Sequence, residues 1–188
     1  LHCIQAMHST GLVFIDVKTD NFMLAPSGKT AAERIRLIDF GLVESINDMT
    51  TAKHREDVEG SPLVGTPTYA SINVMSGHTP SRRDDLEALG YVICELILSL
   101  ASGAKGGKDN LLPWSGAKSD DELLMMKKLD MDATKRSKSN LFGLLKACGS
   151  DVVMENYFNS VMALKYTATP DYDSLCCYLK KLVVTVQS

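Results

Sequence analysis

Two short stretches hold the residue types of a phosphoryl-transfer centre. Asp16-Val17-Lys18-Thr19-Asp20-Asn21 supplies a carboxylate, an ammonium and an amide, and Asp39-Phe40-Gly41 supplies another carboxylate 18 residues beyond Asn21. Moving a phosphoryl group onto a hydroxyl needs a carboxylate beside the attacking oxygen, a cation on the transferring phosphate and hard oxygen ligands for Mg2+. Either stretch alone also reads as an ordinary polar turn. Their order and separation are what set them apart. A third stretch, Gly65-Thr66-Pro67-Thr68-Tyr69-Ala70, is in isolation a Gly-Thr-Pro turn.

Taken together these segments resemble protein kinases. Asp16 to Asn21 matches the catalytic loop D-x-K-x-x-N, and Leu37-Ile38-Asp39-Phe40-Gly41 matches the metal-binding D-F-G. The resemblance implies Asp16 as catalytic base, Lys18 on the γ-phosphate of ATP, and Asn21 and Asp39 as Mg2+ ligands. It makes Gly41 the point where the backbone turns after the metal ligand and Met23 the side chain under the adenine. Thr66 falls near the end of the activation segment, where serine/threonine kinases use a hydroxyl to bond the catalytic Asp and Lys. Ser71-Ile72-Asn73 in place of A-P-E, Ser81-Arg82-Arg83-Asp84-Asp85-Leu86-Glu87-Ala88-Leu89-Gly90-Tyr91, Leu112-Pro113-Trp114 and Tyr166-Thr167-Ala168-Thr169-Pro170-Asp171-Tyr172 are similar to the casein kinase I group. His78-Thr79-Pro80-Ser81-Arg82-Arg83 leans toward its vaccinia-related branch. On this match Asp85 accepts hydrogen bonds from the catalytic-loop backbone, a supporting role.

The chain departs from the family in two places. Phe14-Ile15 stand where kinases carry His-Arg, which removes the arginine that reads an activating phosphate and leaves Phe14 to fill the apolar position beneath D-F-G. The chain also opens without Met, already in helical pattern, and shows no Gly-rich phosphate loop, V-A-I-K lysine or helix glutamate. The expectation is therefore a fragment: residues 1–188 as the C-terminal lobe of a protein kinase domain, with 42–80 as its activation and substrate-binding segment. Completed by an N-terminal lobe it would transfer the ATP γ-phosphate to Ser or Thr of protein substrates, acidic or phosphate-primed ones among them. Alone it would be inactive. The alternative is a pseudokinase or truncated lobe that acts as a protein-binding module. Lys53 and Arg55, with Arg82 and Arg83 near in family topology, are candidates for binding a substrate phosphate, against the plainer reading of a solvated basic loop and structurally paired arginines.

The elements that must position these residues follow from periodicity. Leu1 and Ile4 share a helical stripe with Gln5 or His8, and Gly11 stops that helix. His2 and His8 are read as surface or locally bonded residues. Short strands are expected at 12–15, 22–24 and 34–38, with a turn at Pro26-Ser27-Gly28 and a polar stretch over 29–33. Leu86, Leu89, Gly90, Ile93, Ile97 and Leu100 mark a buried central helix. After a break at 103–107 and an anchored bend at Pro113-Trp114, helices are expected over 120–131, 139–148, 151–165 and 170–186. A Ser119/Glu122 capping box opens the first, and Pro170 takes the first position of the last. The fold class is mainly α (α+β): a kinase-like C-terminal lobe, a helical bundle whose small β-hairpins carry the catalytic and metal-binding loops, in one compact domain.

Composition bounds the partners. With 188 residues, 45% hydrophobic, the chain is long enough to bury roughly two thirds of its unfolded surface. A net charge of -3 gives no broad attraction for nucleic acid or an anionic membrane. The apolar run over 86–101 carries Glu87 and Glu95 and falls short of the roughly 20 residues that span a bilayer. Cys3, Cys94, Cys148, Cys176 and Cys177 form no C-x-x-C pair, which points to reduced thiols and an intracellular setting, cytoplasm or nucleus.

Overall fold

The computed structural model describes residues 1–27, 34–103 and 111–182. The chain divides into two compact units. The first is Leu1–Leu89 with Lys165–Pro170, and the second runs over Gly90–Leu164 and resumes at Asp171.

In the first unit, α1 (His2–Ser9) ends where Gly11, at φ +77°, turns the chain into β1 (Leu12–Val13). A residue with a Cβ would resist that left-handed turn. β2 (Phe22–Leu24) pairs antiparallel with β3 (Ile35–Leu37), placing Met23 opposite Arg36, and β1 pairs antiparallel with β4 (Glu44–Ser45). Val13, Ile15 and Ile46 make a small buried cluster with Val64 packed against it. The short helix α2 (Ile72–Met75) is capped by the Ser71 hydroxyl, which accepts from the Val74 N–H. α3 (Arg82–Ser102) begins here and contains the unit boundary between Leu89 and Gly90.

Three expectations change. The strand expected over 12–15 stops at Val13, because Ile15 sits at φ +72° and the N–H groups of Phe14 and Ile15 are taken by a side chain rather than by a neighbouring strand. The strand expected over 34–38 is Ile35–Leu37. His8 is buried rather than at the surface, and its partner is 77 residues away. Gly28, the polar stretch 29–33 and residues 104–107 lie outside the described residues.

The second unit contains α4 (Asp120–Met131), α5 (Asn140–Ala147), α6 (Asp151–Met162) and α7 (Tyr172–Leu179). Ser119 caps α4 by accepting from the Glu122 N–H. Glu122 reaches one residue further back than a capping box requires, to the Lys118 N–H at 2.7 Å. α5 is capped by Ser139, whose hydroxyl also donates to Asp130. α7 starts two residues after Pro170, because the Asp171 carboxylate accepts from the Ser174 N–H and takes the cap position. The end expected at 186 falls outside the described residues. All five cysteines are free thiols, and among the described residues no helix is long and apolar enough to cross a membrane.

The core of this unit is aromatic. Tyr91 meets Trp114 edge-on with centroids 5.0 Å apart and lies 5.4 Å from Phe158, which also packs against Phe142 and Tyr157. Lys127 is fully buried among them, its Nζ 4.8 Å from the Tyr91 centroid and 5.5 Å from that of Trp114, close enough for cation–π attraction. Gly90 allows the helix to approach: a Cβ there would stand 2.6 Å from Phe158 Cε1 and 2.9 Å from Tyr157 Cε1. Ala is the better helix former by about 1 kcal/mol, but both rings are fully buried and overpacking costs about 1–3 kcal/mol. Gly90→Ala is expected to be net destabilising by about 1 kcal/mol or more, read from urea unfolding followed by Trp114 fluorescence.

Candidate active site

The whole candidate site lies in the first unit, and it is organised around a buried carboxylate. Asp85, 1% exposed, accepts from the Phe14 N–H at 2.6 Å, from the Ile15 N–H at 2.7 Å, and shares a 2.9 Å bond with His8 Nε2. Hydrogen bonds to an ionised acceptor are roughly twice as strong as neutral ones. These hold Ile15 in a left-handed conformation that costs a β-branched residue about 1–3 kcal/mol. The chain thereby leaves β1 and presents the next residue, Asp16.

Asp16 is buried and each side of its carboxylate is occupied. Thr66 donates its hydroxyl to Oδ1 at 2.7 Å, and Lys18 Nζ is 2.7 Å from Oδ2. The Asn21 amide nitrogen donates to the Asp16 carbonyl at 2.8 Å and to Oδ2 at 3.3 Å. Burial works to raise the Asp16 pKa, but the bonds from Lys18, Thr66 and Asn21 outweigh it and hold the carboxyl below its ordinary value. Lys18 moves the other way. Its bond to Asp16 raises its pKa against partial burial, helped by the charges of Asp16, Asp20 and Asp39. At neutral pH the centre is therefore a carboxylate and an ammonium, the states suited to a hydroxyl and a phosphate.

Asn21 ends a 3-10 turn, Thr19–Asn21, that leads into β2. With its amide nitrogen committed to Asp16, its side-chain oxygen is left for another donor or a cation. Asp39 is exposed at φ +60°, with Oδ1 accepting from the Gly41 N–H at 3.3 Å. Among the described residues no three His, Cys, Asp or Glu side chains gather as a metal cage. An amide oxygen and a carboxylate nonetheless suit Mg2+, which commonly takes one or two carboxylates and completes its shell with water and substrate phosphates. Phe40 packs edge to face on Phe14, 5.8 Å between centroids, so Phe14 fills the apolar position beneath D-F-G. Met23 is 54% exposed on β2.

The segment carrying Thr66 is seated by several contacts. Gly65, at φ +80°, brings its backbone so close that a Cβ would lie 3.1 Å from the Ile15 carbonyl oxygen. Further along, the Ser71 hydroxyl donates to Asp84 at 2.6 Å and the Ile72 N–H to Glu87 at 2.8 Å. Burial raises the Asp84 pKa, against the pull of Ser71, Arg83 and Ser81. Asp84, Glu87 and His8 are supporting residues that motif reading missed. The spacing of His8 four residues after buried Ile4 is the signal that places it inward.

The four candidate phosphate-binding residues are dispersed in role. Arg82 donates to the carbonyls of Thr167 and Ala168. Arg83 pairs with Asp57 at 3.3 Å and lies over the Tyr166 ring, while Tyr166 donates to the Glu56 carbonyl. Arg55 pairs with Glu44, and Lys53 is exposed. Arg83 and Arg55 thus fasten the segment 42–80, whereas Arg82 holds the stretch at Thr167 and Ala168.

Two substitutions check this geometry. Asp85→Ala removes the shared acceptor of two buried N–H groups and His8, and is expected to cost about 3–5 kcal/mol in denaturant unfolding. Thr66→Val removes one of the bonds that lower the Asp16 pKa, so a carboxyl titration followed by NMR should show it rising. Because a lowered carboxyl contributes stability above its unfolded value and loses it as pH falls through the folded value, the variant should lose that contribution at a higher pH than the parent.

Comparison with known proteins identifies the family. The protein kinase domain model matches residues 1–151. Casein kinase I homolog 1 of Saccharomyces cerevisiae is 33% identical over 97% of this chain and 30% of its own length. Casein kinase I homolog RAG8 of Kluyveromyces lactis is 32% identical over 97% and 30%. Casein kinase I homolog 1 of Schizosaccharomyces pombe is 34% identical over 92% and 35%. The chain spans about a third of the length of the curated relatives it matches. With this match over most of its length and with these relatives, the chain belongs to the protein kinase family and is casein kinase I-like.

Proposed function

We propose that this chain is the C-terminal lobe of a serine/threonine protein kinase that transfers the γ-phosphate of ATP to protein hydroxyls. The observation that carries the reading is the bonded set Thr66–Asp16–Lys18, with Asn21 donating to the Asp16 carbonyl and to the oxygen that Lys18 also meets. Asp16, ionised and fixed on both oxygens, orients the acceptor hydroxyl and takes its proton as its bond to the γ-phosphorus forms and the bond from that phosphorus to the bridging oxygen breaks, releasing ADP. Lys18 exchanges its contact with Asp16 for the transferring phosphate and neutralises charge there. Thr66 holds Asp16 in place and makes the segment 42–80 part of the centre, so that a docked protein substrate is presented to the carboxylate. Asn21 and Asp39 would hold Mg2+, which when bound neutralises the phosphate oxygens.

The exposed apolar side chains support the C-terminal-lobe assignment. Met23, Leu24, Phe40 and Leu42 all remain open on the first unit, which suits a face that an adenine ring and a nucleotide-gripping N-terminal lobe would cover. Lys53, exposed on the segment 42–80, would then be the basic residue met by acidic or primed substrates.

The deciding comparison uses the full-length protein, Mg2+-ATP and casein. Asp16→Asn keeps the shape of the side chain and removes its proton acceptor, so phosphate incorporation should fall by roughly 10²- to 10⁴-fold with ATP affinity retained. Equal incorporation by both proteins would sink the role of Asp16. No transfer by either would favour the binding-module reading.

A further inference from the structure

The outer face of α4 carries a pattern that the proposed phosphoryl transfer leaves unused. Leu123, Lys127, Asp130 and Met131 form the buried side of this helix. On the opposite side Asp121, Leu124, Met125, Lys128, Leu129 and Asp132 recur at alternating spacings of three and one, a single stripe down the helix. With Lys135 from the 3-10 turn Ala133–Lys138 they line one open groove of about 370 Å³. Met125 is 58% exposed and Leu129 54%, so the stripe holds two large apolar side chains in water.

The charges in this groove are ordered. Asp132 and Lys135 pair with each other at 2.9 Å. Asp121 and Lys128 are exposed, and among the described residues neither enters an ion pair. They stand about two helical turns apart, with Leu124 and Met125 midway between them. The order acid, apolar pair, base therefore becomes base, apolar pair, acid when the helix is reversed. A second α4 laid antiparallel is complementary to the first in both charge and apolar surface.

We propose that this groove is a self-association surface on which two copies of the chain pair their α4 helices antiparallel, about a two-fold axis through Leu124 and Met125. Asp121 of each copy meets the partner's Lys128, and Leu124 and Met125 of both close the centre. A two-fold contact uses the same patch on both copies, so every favourable or like-charge pair occurs twice. The opposed helix dipoles add to the attraction. One helix face makes a small interface, below about 1,200 Å², so the dimer forms and separates with concentration. The inference does not depend on the kinase reading.

The test is analytical ultracentrifugation of the full-length protein over roughly 5–200 µM, in which the parent should pass from monomer to dimer. Asp121→Lys and Lys128→Asp should each weaken self-association about ten-fold or more, because each sets like charges opposite one another at both contacts. An equimolar mixture of these two variants should associate as well as the parent, since the mixed dimer restores opposite charges at both contacts. Met125→Ser, which leaves every charge in place, should also weaken the dimer, and circular dichroism of each variant should match the parent. A parent that stays monomeric throughout, a dimer indifferent to the charge reversals, or a mixture no better than its components would overturn the proposal. Tighter pairing of Asp121→Lys with the parent than with Lys128→Asp would indicate parallel helices and overturn the antiparallel arrangement.

Discussion

Asp85 holds up the rest of the site. Its two carboxylate oxygens take the N–H groups of Phe14 and Ile15 and meet His8, so one buried charge joins α1, the end of β1 and the start of α3. A carboxylate excluded from water is costly unless its lone pairs are filled. Here the groups that fill them are backbone donors that would otherwise be stranded where β1 ends. The strain at Ile15 persists because these contacts outweigh it. Asp16 inherits its orientation from that arrangement.

A second layer of order comes from contacts that need no added phosphate group. Position 15 carries Ile, so the loop offers no guanidinium beside Asp16. The segment 42–80 is instead fastened by Arg55 to Glu44, by Arg83 to Asp57, by Tyr166 to the Glu56 carbonyl, and by Ser71 and Ile72 to Asp84 and Glu87. Exposed ion pairs of this kind contribute little singly, whereas the bonds to buried Asp84 and Glu87 carry more because unpaired they would leave a carboxylate stranded. The end of the segment nearest α3 is therefore its firmest part.

The chemical groups of the site were legible in the sequence because each belongs to a short stretch whose residue types state their chemistry. Their support was less so. The bonds from Asp85 cross 70 and 71 residues, and only the family pattern pointed to them. Periodicity left His8 undecided. Local strand propensity carried β1 through Phe14 and Ile15, and a distant carboxylate stopped it two residues early. Pro170 marked a helix start correctly to within two residues, but the capping carboxylate of Asp171 decided the boundary. The boundary between the two compact units falls inside α3, and nothing local in the pattern of that helix announces it.

Lys127 and Lys128 stand next to each other on α4 with opposite fates, one fully buried against Tyr91 and Trp114 and the other exposed. An acylating enzyme or an amine reagent meets the second and not the first while the aromatic core is closed. The pair therefore forms an internal gauge of how often the second unit opens, with Lys128 marking exposure to the reagent and Lys127 marking the time spent open.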